Sequence, residues 1–128
     1  MTKNQKLKYK NLILDFAICI KNKKKDQGAL TEEYFDLMHY IQELGSLKLT
    51  SEKMNISYRK AWGMVHKSEE ILGIKLIEMN RGGTDGGRSS LTTDGKRLFD
   101  AYSKIRIEFD FTVKKITEDF FITINLEN

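Results

Sequence analysis

The stretch SLKLTSEKMNISYRKAWGMV, from Ser46 to Val65, decides how this chain folds. Ser46 and Ser57 each precede a segment of helical composition, and serine is a preferred N-cap because its hydroxyl accepts a hydrogen bond from a backbone N–H of the first turn. Asn55 lies between the two segments and tolerates a left-handed backbone conformation. The stretch therefore predicts two helices joined by a tight turn.

Two helices in this arrangement have the layout of a helix-turn-helix, whose second helix enters the major groove of DNA. The N–H groups and dipole at the start of that helix favour phosphate. Arg59 can pair in bidentate fashion with guanine, and Lys60 can supply charge to a phosphate or a base. Ordinary solvated helix residues are the alternative interpretation. The candidate DNA-contacting residues of the motif are Ser46, Ser57, Tyr58, Arg59, Lys60, Gly63, His66 and Lys67.

A glycine-rich segment, NRGGTDGGRSSLT from Asn80 to Thr92, strengthens the DNA-binding interpretation. The flanking sequences IKLIEMN and SSLT predict two short strands, so the glycines form the loop of a hairpin, or wing. Glycine lets the backbone approach a phosphodiester chain closely, and arginines at its edges reach phosphates or a narrow minor groove. A nucleotide cradle is disfavoured because its glycines would run directly into a helix, and a single RGG is too little for an RNA-binding tract. The candidate wing residues are Arg81, Gly82, Gly83, Gly86, Gly87, Arg88 and Ser89.

The segments before the motif predict one strand, one loop and one helix. Alternating apolar residues from Leu12 to Ile20 predict an N-terminal strand with one buried face. The lysine run 21–25 is typical of a solvated turn, and this interpretation is favoured over a DNA contact. Thr31 is a plausible N-cap for a helix that ends at Gly45 in a left-handed cap.

The segments from the second motif helix onward complete the fold. In that helix Trp62 is expected to pack in the core with Ala61 and Val65 rather than to stack on a base. Thr92 or Thr93 caps a long final helix, followed by a tail of weak alternation. The apolar stripe of this helix suits a core and a partner chain, and comprises Leu98, Tyr102, Ile105, Phe109, Val113, Ile116 and Phe120.

These elements predict a mainly α fold with a small β component. It is a winged helix-turn-helix with an N-terminal strand and a long C-terminal dimerisation helix. The 128 residues suit a single domain. Within it, residues 1–29 form the N-terminal strand and basic turn, residues 30–92 the winged helix-turn-helix, and residues 93–128 the long helix and tail.

Composition narrows the classes of function. The net charge is +4, and the first 27 residues hold eight lysines against two aspartates, so basic character is concentrated in segments that could face a polyanion. The single Cys19 fits a reducing cytoplasm and is expected to be a buried, inert thiol. His39 and His66 lack partners at metal-ligand spacing, and no nucleophile–base arrangement emerges. We therefore expect a cytoplasmic protein that is not an enzyme, with no metal, no cofactor and no membrane span.

The order of the motifs resembles one known family. The chain resembles the N-terminal winged-helix domain of the molybdate-responsive regulator ModE, which is itself similar to that of LysR-type regulators. The motifs that carry the resemblance are GSL (45–47), ISYRKAW (56–62), LGIKLIE (72–78), the paired glycines and LT..G (91–95). The resemblance covers about residues 12–115. It implies a homodimer that binds double-stranded DNA with its third helix and wing, and long flanking helices that pair the subunits.

The chain also departs from the family pattern. Thr50 and Ser51 stand where small apolar residues are common, which predicts more polar packing between the motif helices, and Asn55 stands where glycine is common. The molybdate-binding C-terminal domains of the full regulator are not recognised, so a stand-alone form without oxyanion binding is expected. The alternative function is a winged-helix interaction or dimerisation module that does not read DNA sequence.

Overall fold

The computed structural model describes residues 8–26, 28–80 and 87–126. The elements are helices Glu32–Leu44 (α1), Leu47–Lys53 (α2) and Tyr58–Leu72 (α3), strands Ile77–Asn80 (β1) and Arg88–Leu91 (β2), and helix Thr93–Ile124 (α4). The chain is thus mainly α with a small β component, as the sequence predicts. Backbone packing divides it into two compact units, one of residues 17–102 and one of residues 1–16 with 103–128.

The helix boundaries follow local capping chemistry. The Ser46 hydroxyl accepts a hydrogen bond from the N–H of Leu49 at 3.1 Å, and the Ser57 hydroxyl accepts one from the N–H of Lys60 at 3.0 Å. Asn55 has a positive φ of 58°, which turns the chain between α2 and α3. The two predicted caps and the turn are confirmed. Thr31 takes the predicted N-cap position of α1, but its hydroxyl makes no capping hydrogen bond.

The core of the larger unit lies between α1 and the elements packed around it. Phe35 of α1 and Tyr102 of α4 stack with ring centroids 3.7 Å apart and planes 3° from parallel. Each fully buried apolar side chain contributes about 1.5–3 kcal/mol to the free energy of folding. The buried apolar residues are Leu30, Tyr34, Phe35, Leu37, Met38, Ile41, Leu47, Ala61, Val65, Ile71, Leu76, Ile77, Leu91 and Tyr102.

The hairpin is an antiparallel pair in which Ile77 faces Leu91 and Asn80 faces Arg88. It is attached directly to the turn between α1 and α2. The N–H of Ser89 donates to the carbonyl of Gly45 at 2.9 Å, and the N–H of Leu47 donates to the Ser89 hydroxyl at 3.1 Å. The wing strand and the helix-turn-helix therefore form one hydrogen-bonded structure.

The start of α4 packs closely against the start of the hairpin. The Thr92 hydroxyl donates to the carbonyl of Lys75 at 2.7 Å and accepts from the N–H of Gly95 at 2.9 Å. Gly95 is buried, and a Cβ at this position would overlap the carbonyl oxygen of Leu76. Glycine is therefore required here by the close approach of two backbones.

The predicted N-terminal strand is wrong over residues 12–19, which form no ladder. Ile20 alone makes an isolated antiparallel bridge with Leu30. On the face predicted to be buried, Ile18 and Ile20 pack against the core, whereas Leu12 is 50% and Phe16 39% exposed. A strand needs a neighbouring edge to pair with, and the described residues supply one only at Leu30. Cys19, expected to be buried, is exposed.

The smaller unit has no apolar core within its described residues, 8–16 and 103–126. Its single buried residue among them is Asn125, which is 8% exposed. On α4, Ile107 is 74% exposed and Phe111 is 78% exposed. Of the predicted stripe, Tyr102 in the larger unit is buried, whereas Ile105 and Ile116 are exposed. No helix of the described residues is both long and apolar enough to cross a membrane.

Candidate nucleic-acid interface

The outward face of α3 is a row of residues at four-residue spacing, Arg59, Gly63 and Lys67, all of them exposed. At 100° per residue this row lies opposite Ala61 and Val65, which are buried in the core. A Cβ on Gly63 would meet no atom within 4 Å. Packing therefore does not require glycine there, although glycine costs an exposed helix about 1 kcal/mol relative to alanine. The row forms a smooth cationic face against which another molecule can lie closely.

An aromatic row runs beside this face. The rings of Tyr58 and Trp62 meet edge to face at 6.2 Å, and those of Trp62 and His66 stack at 5.0 Å. Trp62 is half-buried and packs against the core, as expected. Its ring also contacts Tyr58 and His66 of the predicted interface. Tyr58 and His66 are exposed and border the cationic face.

The first turn of α3 contains the other motif candidates. Ser57 is engaged as the N-cap, and the remaining first-turn N–H groups have no acceptor one turn earlier within the helix. The Nζ atom of Lys60 lies 3.0 Å from the Oε1 atom of Glu33, with both side chains about half exposed. Lys60 is therefore already paired with an acidic residue of α1. Ser46 is half-buried at the N-terminus of α2, where its hydroxyl caps that helix.

The wing candidates divide into described and undescribed residues. Gly87 and Arg88 are exposed, and Arg88 begins β2. Arg81, Gly82, Gly83 and Gly86 lie in residues 81–86, outside the described residues.

The prediction that Ser89 contacts DNA is corrected by its burial. The residue is 3% exposed, and its hydroxyl accepts from the N–H of Leu47 and donates to the Sδ atom of Met79. A hydroxyl so enclosed cannot reach a phosphate. Its role is to hold the hairpin against α2.

Comparison with known proteins finds similarity to one group of regulators. No family model matches the chain. It is 35% identical over 66 residues to the transcriptional regulator ModE of Haemophilus influenzae, covering 52% of this chain and 26% of that protein. It is 26% identical over 90 residues to the molybdenum transport protein ModE of Azotobacter vinelandii, covering 70% of this chain and 33% of that protein.

A third relative is the DNA-binding transcriptional dual regulator ModE of Escherichia coli K12, 32% identical over 66 residues, or 52% of this chain and 25% of that protein. The chain is thus similar to ModE proteins over 66 to 90 of its residues. The resemblance predicted from the motifs is thereby confirmed. The chain spans about a quarter to a third of the length of the three relatives.

Two contacts of this chain were not predicted from its sequence. The carboxylate of Glu33 on α1 reaches the ammonium of Lys60 on α3. Asn22 of the lysine run donates its side-chain amide to the carbonyl of Ile71, 49 residues along the chain. Neither contact has a local sequence signal, because each depends on how separate elements pack. Among the described residues, no group of His, Cys, Asp or Glu side chains is placed to hold a metal ion.

Proposed function

We propose that this ModE-like chain is a sequence-specific, DNA-binding transcriptional regulator that acts as a homodimer in the cytoplasm. The helix α3 would lie in the major groove, and the glycine-rich hairpin would lie on the backbone or in the minor groove. The observation that carries the proposal is the outward face of α3, where Gly63 has no packing role between the exposed cations Arg59 and Lys67. The relatives named as transcriptional regulators support the same class.

Each candidate residue has a distinct proposed role. Arg59 reads a guanine through two parallel hydrogen bonds, which give sequence preference. Lys67 and Arg88 neutralise phosphates, which gives affinity without preference, and Lys60 can do the same when it is released from Glu33. Tyr58 and His66 border the groove, and Gly63 and Gly87 permit close approach. Arg81 and the glycines 82, 83 and 86 keep their predicted wing role.

The homodimer is supported by the exposed apolar residues of α4. Ile107 and Phe111 are one helical turn apart and more than 70% exposed, and Ile122 continues the same side of the helix at 56% exposed. Large exposed apolar patches mark interaction sites, and most soluble homo-oligomers are two-fold symmetric. Two such helices would cover each other. The paired α3 helices would then meet major grooves about 34 Å apart, so the operator would be an inverted repeat.

Selection of bound fragments from random-sequence DNA by the purified protein tests DNA reading. We expect an enriched, approximately inverted repeat. Arg59→Ala should cost about 1–3 kcal/mol and relax preference at one base pair. Arg88→Ala should weaken binding to all sequences alike and reduce the salt slope by about one. Adding molybdate to the selection would show whether an oxyanion alters binding. If no sequence is enriched, the proposed function is wrong.

Sedimentation equilibrium tests the dimer. Phe111→Ser should shift the protein towards monomer, because it places a polar group in the proposed contact. Ile74→Ser is the matched control, since Ile74 is also exposed, at 45%, but lies outside α4. Equal self-association of both variants would contradict pairing through α4.

The second candidate function is an interaction module without sequence reading. The exposed apolar residues of α4 are compatible with it, because they suit any apolar partner. A stable dimer that binds all duplexes with equal affinity, and that loses nothing in the Arg59→Ala variant, would favour this alternative.

A further inference from the structure

The lysine run 21–25 forms an ordered turn rather than a loose loop. The N–H of Lys25 donates to the carbonyl of Asn22 at 3.1 Å, and the N–H of Lys24 donates to the Asn22 side-chain oxygen at 3.0 Å. Beyond the turn, Ile20 and Leu30 exchange two backbone hydrogen bonds of 2.9 and 2.8 Å. Lys23 and Lys24 are exposed at its tip.

The same turn is fixed to the C-terminal end of α3. The Asn22 side-chain amide donates to the carbonyl of Ile71 at 2.9 Å, and the Lys25 ammonium donates to the carbonyl of Glu70 at 3.3 Å. Lys67 of α3 extends towards the turn, since a Cβ on Gly28 would lie 3.1 Å from its Cε atom. One asparagine thus both shapes the turn and attaches it to the helix.

The turn reverses the sign of charge at this end of α3. Helix C-termini carry a partial negative charge that repels phosphate. Here the lysines 21, 23, 24 and 25, together with Lys67, outnumber the local carboxylates of Asp26, Glu69 and Glu70. No ion pair joins the lysines of the turn to a carboxylate within the described ranges. Their charge is therefore available to an anionic partner.

The length of α3 indicates which partner this is. Its 15 residues extend about 22 Å at 1.5 Å per residue, whereas the major groove is about 12 Å wide. A helix lying in the groove therefore brings both of its ends near phosphates. We infer that the 21–25 turn is a second DNA-backbone contact, which makes the C-terminal end of α3 attractive to phosphate. This inference rests on the proposed function of α3.

The test compares two double variants of equal charge change. Lys23→Gln with Lys24→Gln should weaken binding about tenfold or more and lower the slope of log affinity against log salt by about two, on selected and scrambled duplexes alike. Base preference should stay unchanged. Lys114→Gln with Lys115→Gln is the control, because both lysines are exposed on α4 in the smaller unit. Fluorescence anisotropy between 50 and 200 mM salt, the range in which such slopes are resolved, measures the effect.

A third variant separates position from charge. Asn22→Ala keeps every lysine but removes the amide that attaches the turn to α3, so we expect several-fold weaker binding at unchanged net charge. Wild-type affinity in this variant would overturn the fixed geometry of the turn.

The outcomes distinguish this inference from the function on which it rests. Suppose that Arg59→Ala alters base preference, while the Lys23→Gln/Lys24→Gln variant has the same DNA affinity and salt slope as the Lys114→Gln/Lys115→Gln control. The lysine turn then makes no DNA contact, and only this inference fails. Loss of binding to vesicles of anionic phospholipid, with an unchanged DNA slope, would assign the turn to a lipid surface and overturn the inference. If the unaltered protein enriches no sequence and binds no duplex, both proposals fail together.

Discussion

The Oε1 atom of Glu33 lies 3.0 Å from the Nζ atom of Lys60, so an acidic side chain of α1 holds a cation at the start of α3. Both side chains are about half exposed, and such solvated pairs contribute less than about 1 kcal/mol to stability. The consequence of the pair is therefore greater for binding than for folding, because it places negative charge beside the proposed DNA face.

Glu33→Gln should raise affinity for DNA and steepen the salt slope by about one unit, because Lys60 becomes available to a phosphate. Glu43→Gln is the control, since Glu43 also forms a pair on α1, with His39 at 3.2 Å. Titrations of both variants on one duplex at several salt concentrations would decide the matter. Weaker binding by Glu33→Gln than by Glu43→Gln would contradict the expectation.

Gly95→Ala should destabilise the chain by about 2 kcal/mol or more, because the new methyl group would displace the backbone at Leu76. Urea denaturation measures the change. Gly63→Ala is the control within another helix and should stabilise by about 0.5–1 kcal/mol. Equal effects of the two substitutions would show that the backbone at Leu76 can move away from α4 at little cost in free energy.

Gly63→Ala has a second expected effect that is opposite in sign. The same methyl group lies on the outward face of α3 and should weaken DNA binding, since it separates the helix from the groove. The measurement is affinity for the selected duplex, compared with the stability of the same protein preparation. A more stable variant with undiminished affinity would remove Gly63 from the interface.

Thr50→Val should stabilise the chain by about 1 kcal/mol. Thr50 is fully buried, and its hydroxyl has no hydrogen-bond partner in the described part of the chain, so an apolar isostere removes an unmet desolvation cost. Ser51→Ala should give no comparable gain, because the Ser51 hydroxyl donates to the carbonyl of Lys48 at 2.7 Å. Thermal and urea unfolding of the pair provide the comparison, and a destabilised Thr50→Val would refute the argument.

Tyr34 gives a pH dependence with a definite sign. Burial raises the pKa of its phenol to about 12, a rise increased by Glu69 and reduced by the nearby Ser68 hydroxyl. The unfolded chain loses this proton near pH 10, whereas the folded chain keeps it until about pH 12. The free energy of unfolding is therefore unaffected below pH 10 and falls between about pH 10 and pH 12, by up to about 2–3 kcal/mol. Tyr34→Phe should lose less stability over that window than wild type.

Urea titrations of both proteins at pH 8 and near pH 11 test this expectation. Tyr58→Phe removes a hydroxyl from a side chain that is 45% exposed and serves as the control. If the free energy of unfolding of Tyr34→Phe falls with pH as steeply as that of wild type, Tyr34 is not the cause of the loss of stability at alkaline pH.

Local chemistry made much of this fold predictable. The helix boundaries could be predicted because capping and turn residues act on backbone groups only a few residues away. These residues are Ser46, Asn55, Ser57 and Gly73, the last in a left-handed conformation. The strand predicted from Leu12 to Ile20 failed because its alternating residues Leu12 and Phe16 stay exposed, and because alternation does not specify a partner edge.

The candidate interface was predictable to the extent that it lies on one helix. The helical periodicity of the sequence alone places Arg59, Gly63 and Lys67 on one face of α3, and that face is exposed in the structure. Ser89 was misassigned because its burial depends on Leu47 and Met79, which belong to other elements. Contacts between distant segments, such as that of Asn22 with Ile71, leave no periodic pattern to read.

The attachment of β2 to the turn between α1 and α2 has a consequence for discrimination among operators. Ser89 joins the two by backbone and side-chain hydrogen bonds, so the position of β2 against the start of α2 is fixed within the protein. If α3 and the hairpin contact DNA as proposed, adjustment to duplexes of different twist or groove width would come mainly from the nucleic acid. The elastic energy of the duplex depends on base steps that no side chain touches. A rigid β2–α2 attachment would therefore give the protein a sequence preference at base pairs that it does not contact.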